Sequence, residues 1–176
     1  MSDFFILNVF NEQIQEYNKK IKKYDVFLSH KQAESQDRAK VYKCYLENKG
    51  FNVFLDRDSN MKDSDWSPQK IMELVGSSAS LIFLLTPTIF DASWCQWELY
   101  IALKCNIPIK ILLVDPWPGQ NINIKKLNIP SFFKNLFIKS NILIDDRYKT
   151  NECIEKLILI LKKNNIKISK KKIKKI

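Results

Sequence analysis

The segment Trp94-Cys95-Gln96-Trp97-Glu98 sets one carboxylate among tryptophans, on a stretch that otherwise reads as a half-buried helix. Trp94 and Glu98 are four residues apart, so on a helix they share a face, an aromatic slab beside an acid. A solvated surface glutamate needs no such company. A carboxylate acting on a flat, cationic, ring-bearing substrate does. The bland alternative is a glutamate paired with a lysine, with both tryptophans in the core.

Other chemistry is scarce. His30 is the only histidine, which excludes a His-rich metal site and leaves little material for a Ser-His-Asp triad. Cys44, Cys95, Cys105 and Cys153 are scattered without a C-x-x-C pair, as expected of reduced thiols in an intracellular protein. Cys95, with no histidine base in sequence reach, reads as a small buried hydrophobe rather than a nucleophile. Asp56-Arg57-Asp58 reads as a solvated loop with internal ion pairing, so no metal site is expected. Gly50, Gly76 and Gly119 are the only glycines, and none forms a G-x-G-x-x-G turn, which argues against a dinucleotide-binding redox enzyme. Asp25 and Asp56 invite comparison with a phosphoacceptor receiver, but that family's acidic pair and late lysine are not evident.

The 176 residues suit one domain, and 45% hydrophobic with 12% aromatic content argues for a packed globule. The net charge of +10 looks like a nucleic-acid signal until it is located. Eight lysines and no acid fall between Lys162 and Ile176, so the rest of the chain is close to neutral. Residues 164–176 therefore form a basic tail that either contacts acidic surfaces, including an import receptor, or is merely solvated. No apolar run reaches the roughly 20 residues of a membrane span. Phe4 to Phe10 is too short and too acid-flanked for a secretory signal, so a cytoplasmic location is expected, with nuclear entry through the tail as an option.

The elements that must position Glu98 follow from pattern. Residues 1–23 read as an amphipathic helical extension. From Tyr24 an alternation begins that carries the domain to Lys163. Tyr24 to Ser29 is a β-rich run, residues 34–49 show helical spacing, and Gly50 is the natural residue past the helix end. Phe51 to Leu55 is a second strand, followed by an acidic loop to Trp66. Ser67-Pro68 caps and opens a helix to about Gly76. Ala79 to Thr86 is continuously apolar, as a strand covered on both faces should be. A helix from about Ile89 to Cys105 carries Glu98, and Ile107 to Val114 is a fourth strand. Residues 115–137 look irregular, Asn141 to Ile144 is a fifth strand, and Thr150 to Lys163 a final helix. Five β–α units imply an α/β fold: a flavodoxin-like five-stranded parallel sheet, order 2-1-3-4-5, with helices on both faces. Ligands in such sheets bind beyond the strands' carboxyl ends, where the first strand delivers Ser29 to Gln32 and the third delivers Thr86-Pro87.

Three ordered segments resemble the Toll/interleukin-receptor (TIR) domain family. Tyr24-Asp25-Val26-Phe27-Leu28-Ser29-His30 is similar to its first box, and Gly50-Phe51-Asn52-Val53-Phe54-Leu55-Asp56 to the strand that leads into its BB loop. Ser93-Trp94-Cys95-Gln96-Trp97-Glu98-Leu99 resembles the αC motif of the plant and enzymatic branch. The resemblance implies assembly through TIR–TIR contacts and one of two activities. Some members are adaptor modules; others cleave NAD+ at the nicotinamide–ribose bond with a glutamate that corresponds here to Glu98. It places substrate contacts at Lys31 and Gln32, near Lys62, and at Trp66. One departure is plain: the loop usually holds glycine, and Asp56 to Trp66 holds none.

NAD+ would be substrate, not cofactor. Its nicotinamide is already a pyridinium and leaves as a neutral ring, so no general acid is required. The reaction needs stabilisation of a ribosyl oxocarbenium ion, which one fixed carboxylate supplies. Trp94 would bound the pocket or stack on the charged ring, and Lys31 or Lys62 would meet the pyrophosphate. The expected products are nicotinamide and ADP-ribose or a cyclic variant, in immune or cell-death signalling. The alternative is a non-enzymatic adaptor or decoy that meets other TIR domains through Asp56, Arg57, Asp58, Lys62, Asp63 and Asp65. An adaptor has no need of Glu98.

Overall fold

The computed structural model describes residues 22–56, 67–114, 127–140, 142–145 and 150–163. In chain order the main elements are β1 (Val26–Ser29), α1 (Gln32–Asn48), β2 (Val53–Phe54), α2 (Pro68–Gly76), β3 (Leu81–Leu85), α3 (Ser93–Lys104), β4 (Ile109–Val114), α4 (Lys134–Lys139), β5 (Leu143–Asp145) and α5 (Thr150–Lys163). All strand pairs are parallel, and the sheet order is β2-β1-β3-β4-β5, as the pattern of elements implied.

Strand parity explains the two cores. Phe27, Leu81, Phe83, Leu85, Ile111 and Leu113 face α2, α3 and α4. Val26, Leu28, Ile82, Leu84, Leu112 and Val114 face α1 and α5. β3 is buried along its whole length, which is why its sequence shows no alternation. Each large apolar side chain taken out of water in this way contributes about 1.5–3 kcal/mol.

The helix ends follow local chemistry. Gly50 takes φ 90° past α1, and its N–H and that of Phe51 return to the Glu47 and Leu46 carbonyls, a Schellman closure. Asn106, at φ 51°, closes α3 in the same pattern, with asparagine in the role usually taken by glycine. Ser67 Oγ accepts from the Lys70 N–H at 3.1 Å, and Pro68 opens α2.

Several boundaries differ from the sequence expectation. β1 starts at Val26 because Tyr24 makes only an isolated bridge to Ser78, and β2 is two residues long. α1 begins at Gln32 rather than residue 34, across a break at Ser35 (φ −140°). The expected helix from Ile89 is interrupted: a 3₁₀ turn at Ile89–Asp91 precedes α3, with Ala92 extended between them. The stretch read as irregular contains a 3₁₀ turn at Ser131–Phe133 and then α4, which bury Phe133 and Phe137. β5 runs to Asp145, one residue past the expected end.

That last residue matters for α5. Asp145 has the parity of Leu143 and so points toward α1, where it is fully buried. Arg38 Nη2 lies 3.1 Å from Asp145 Oδ2, and Thr150 Oγ1 donates to Asp145 Oδ1 at 3.0 Å. Arg38 Nη1 donates to Thr150 Oγ1 at 3.1 Å. The Tyr42 hydroxyl is held far above its usual range by burial first and by Asp145 and Cys153 next. The cluster ties α1, β5 and the first turn of α5 together. Arg38→Met strands a buried carboxylate and is expected to cost about 3–5 kcal/mol in urea unfolding. Arg38→Met with Asp145→Leu should recover most of that loss; a double variant as unstable as the single one would contradict the ion-pair account.

Candidate functional site

The carboxyl ends of β1 and β3 are neighbours in the sheet, with Ser29 beside Phe83 in register. Ser29 has the parity of Phe27, so its side chain points to the α3 face of the sheet. Glu98, in the second turn of α3, comes down onto that point. Ser29 Oγ donates to Glu98 Oε2 at 2.5 Å, a buried bond across 69 residues of chain. Glu98 is only 7% exposed. Burial pushes its carboxyl up to about 8 from an ordinary 4.5; the Ser29 hydrogen bond opposes that rise and the charge of Asp56 adds to it. Its hydrogen-bond partner is thus a hydroxyl, and not the lysine of the bland sequence reading.

The surrounding groups are specific. Cys95 Sγ donates to the His30 carbonyl at 3.3 Å, and burial, then Glu98 and Asp56, raise its thiol well above the ordinary range. Cys95 is therefore an inert thiol, as its sequence setting suggested. His30 is buried with Nδ1 3.7 Å from Asp56 Oδ1. Asp56, two residues past β2, brings a carboxylate into the field of Glu98, where the sequence suggests only a loop charge.

Lys31 reaches across the crevice. Its Nζ donates to the Thr88 carbonyl at 3.0 Å and to Thr88 Oγ1, and lies 3.3 Å from Glu34 Oε1. Thr88 Oγ1 donates in turn to Glu34. Burial would raise the Glu34 carboxyl, but hydrogen bonds with Thr86 and Thr88 and the Lys31 charge outweigh it and hold the group below its usual range. This clip ties the loop after β3 to the start of α1, and sequence reading missed it because Thr88 lies 54–57 residues from its two partners.

The remaining candidates are placed less closely. Gln32 is the first residue of α1 and is half-buried. Trp94 stands in the first turn of α3 at 46% exposure, so the aromatic slab lies at the surface while the acid one turn later is buried. Trp97 packs edge-on against Tyr100, with ring centroids 6.0 Å apart. Lys62 and Trp66 lie outside the described residues, as do residues 1–21 and the basic tail. Among the described residues no group of three or more His, Cys, Asp and Glu is placed to hold a metal, and no helix is long and apolar enough to cross a membrane.

Over 91 residues the chain is 29% identical to a probable 2' cyclic ADP-D-ribose synthase, TcpO, of Methanobrevibacter olleyae. That match takes in 51% of this chain and 26% of the relative, so the chain spans about a quarter of the length of the curated protein it matches. The TIR domain of the Toll-related receptor TRR-2 from Hydra magnipapillata superposes with a TM-score of 0.59 at 17% identity, covering 80% of this chain and 99% of that one. A TIR-STING receptor from C. gigas gives 0.56 at 15% identity, over 76% and 39%. These two show the fold. The TIR domain model matches residues 26–139, which is most of the chain and takes in β1, Glu98 and the sheet as far as α4, so this protein belongs to the TIR domain family.

Proposed function

We propose that this TIR domain cleaves NAD+ at the nicotinamide–ribose bond, with Glu98 as the catalytic carboxylate. The observation that carries this is a buried acid, held by a hydroxyl rather than neutralised by a cation, at the switch point where such sheets bind ligands. The name carried by the Methanobrevibacter relative, a probable 2' cyclic ADP-D-ribose synthase, supports the same bond cleavage.

As the C–N bond breaks, its electron pair moves into the pyridinium ring and neutralises it. The positive charge left on the ribosyl carbon and ring oxygen is stabilised by the Glu98 anion. Capture by water, with loss of its proton, gives ADP-ribose; capture by a hydroxyl of the same nucleotide, again with loss of a proton, gives a cyclic product. Trp94 bounds the nicotinamide side, while Lys31 and Gln32 lie on the pyrophosphate side. Lys31 reaches a phosphate by giving up Glu34, a partly exposed pair of little net worth. Lys62 and Trp66 belong to this set on the sequence resemblance alone. The product acts in immune or cell-death signalling, and self-association with other TIR domains assembles the active form.

Concentrated protein incubated with NAD+ should therefore release nicotinamide, detected by chromatography, with a rate that climbs faster than linearly in protein concentration. A linear rate over a wide range would remove the assembly requirement. A wild type that releases none, even when crowded, leaves the chain an assembly module without chemistry.

A further inference from the structure

We infer that Ser29 is a positioning residue for Glu98: its hydroxyl fixes the carboxylate's direction and stabilises its anion. The inference rests on the proposed reaction for its consequence, but on geometry for its substance. Ser29 is 1% exposed at the end of β1, on the strand face that α3 covers. A polar residue at a position of core parity has no packing rationale, since an apolar one would bury better.

Its single proton has two acceptors within reach, Glu98 and the sulfur of Cys95. The thiol is committed as a donor to the His30 carbonyl at 3.3 Å and is a weak acceptor. The Ser29 proton therefore goes to the carboxylate at 2.5 Å, the range of a charge-assisted bond. Against it act burial in the core and the negative charge of Asp56. Of the other ionisable groups around the acid, His30 lies against Asp56, and Lys31 is turned toward Glu34 and Thr88. Among the described residues Ser29 is accordingly the one favourable influence on the Glu98 anion that the geometry identifies.

The effect is on charge and aim rather than on substrate contact, which separates it from a binding role. Ser29→Ala should lower kcat at neutral pH by about tenfold and leave KM within about twofold, because the ionised fraction of Glu98 falls while the crevice is unchanged. The midpoint of the kcat–pH profile should move up by about one pH unit. Ser29→Cys fills the same space and donates only weakly, so it should shift the midpoint in the same direction and serves if the alanine variant does not fold.

The direct readout needs no turnover. The Glu98 carboxyl is titrated by its carbon-13 NMR shift or its infrared carbonyl band, assigned by the Glu98→Gln difference, in wild type and both variants. An upward displacement in either folded variant supports the role of Ser29. An unmoved Glu98 titration in a folded variant overturns it. If the wild type releases no nicotinamide, the catalytic reading fails on its own, and the titration still decides this one.

Discussion

Glu98→Gln is expected to lower nicotinamide release roughly a thousandfold, with KM changed only a few-fold. Glutamine keeps the shape of the side chain, and its carbonyl still accepts from Ser29 Oγ, so α3 remains seated on β1. What disappears is the negative charge, and a charge is what a ribosyl cation requires. The loss is large because the acid is buried: at low effective dielectric one fixed charge stabilises a developing cation far more than in solvent. A neutral group there offers only a dipole. Steady-state and single-turnover nicotinamide assays at high protein concentration check this, beside a thermal unfolding scan that confirms the variant is folded. A variant within tenfold of wild type would remove Glu98 from the chemistry.

Much of this arrangement is legible in the residues. A continuous apolar run at Leu81–Leu85 and a nearly continuous one at Ile109–Val114 announce buried parallel strands, and Gly50, Ser67 and Pro68 punctuate the helices by chemistry that needs no tertiary partner. Spacing also puts Trp94 and Glu98 on one side of a helix. It does not give depth, which is set by where β1 passes beneath α3, and so the tryptophan stands in solvent while the acid is buried. The short α4 was hidden because six residues after Pro130 show less than two turns of periodicity. Lys31 illustrates a different limit. A basic residue at a strand end reads as a free cation for phosphate, yet its protons go to Glu34, three residues on, and to Thr88, which only the sheet order brings within reach. Ser29 was recoverable in principle, since a serine two residues after Phe27 in a buried strand is a polar group on a core face. Nothing in the sequence says which acid it meets.

Activity and stability should respond to pH in opposite senses, and both responses trace to one group. With its carboxyl pushed up to about 8, Glu98 is ionised in only about one-tenth of molecules at pH 7, so kcat should rise close to tenfold between pH 7 and 9 and then level off. The stability consequence has the reverse sign. The unfolded chain releases the Glu98 proton near the ordinary 4.5, whereas the folded protein holds it until about 8. Between those values the folded state binds more protons, so each rise in pH favours the unfolded chain by up to about 1.4 kcal/mol per unit. The contribution of the protonated acid is fully present below about 4.5 and is lost as pH climbs through about 8. Urea unfolding at a series of pH values should show this decline in wild type, and Glu98→Gln should remove that component and be the more stable protein at pH 9. A wild-type profile that is flat in both activity and stability from pH 5 to 9 would mean that the acid titrates as a solvated carboxylate. In that case the buried, serine-held acid from which the catalytic reading starts does not exist.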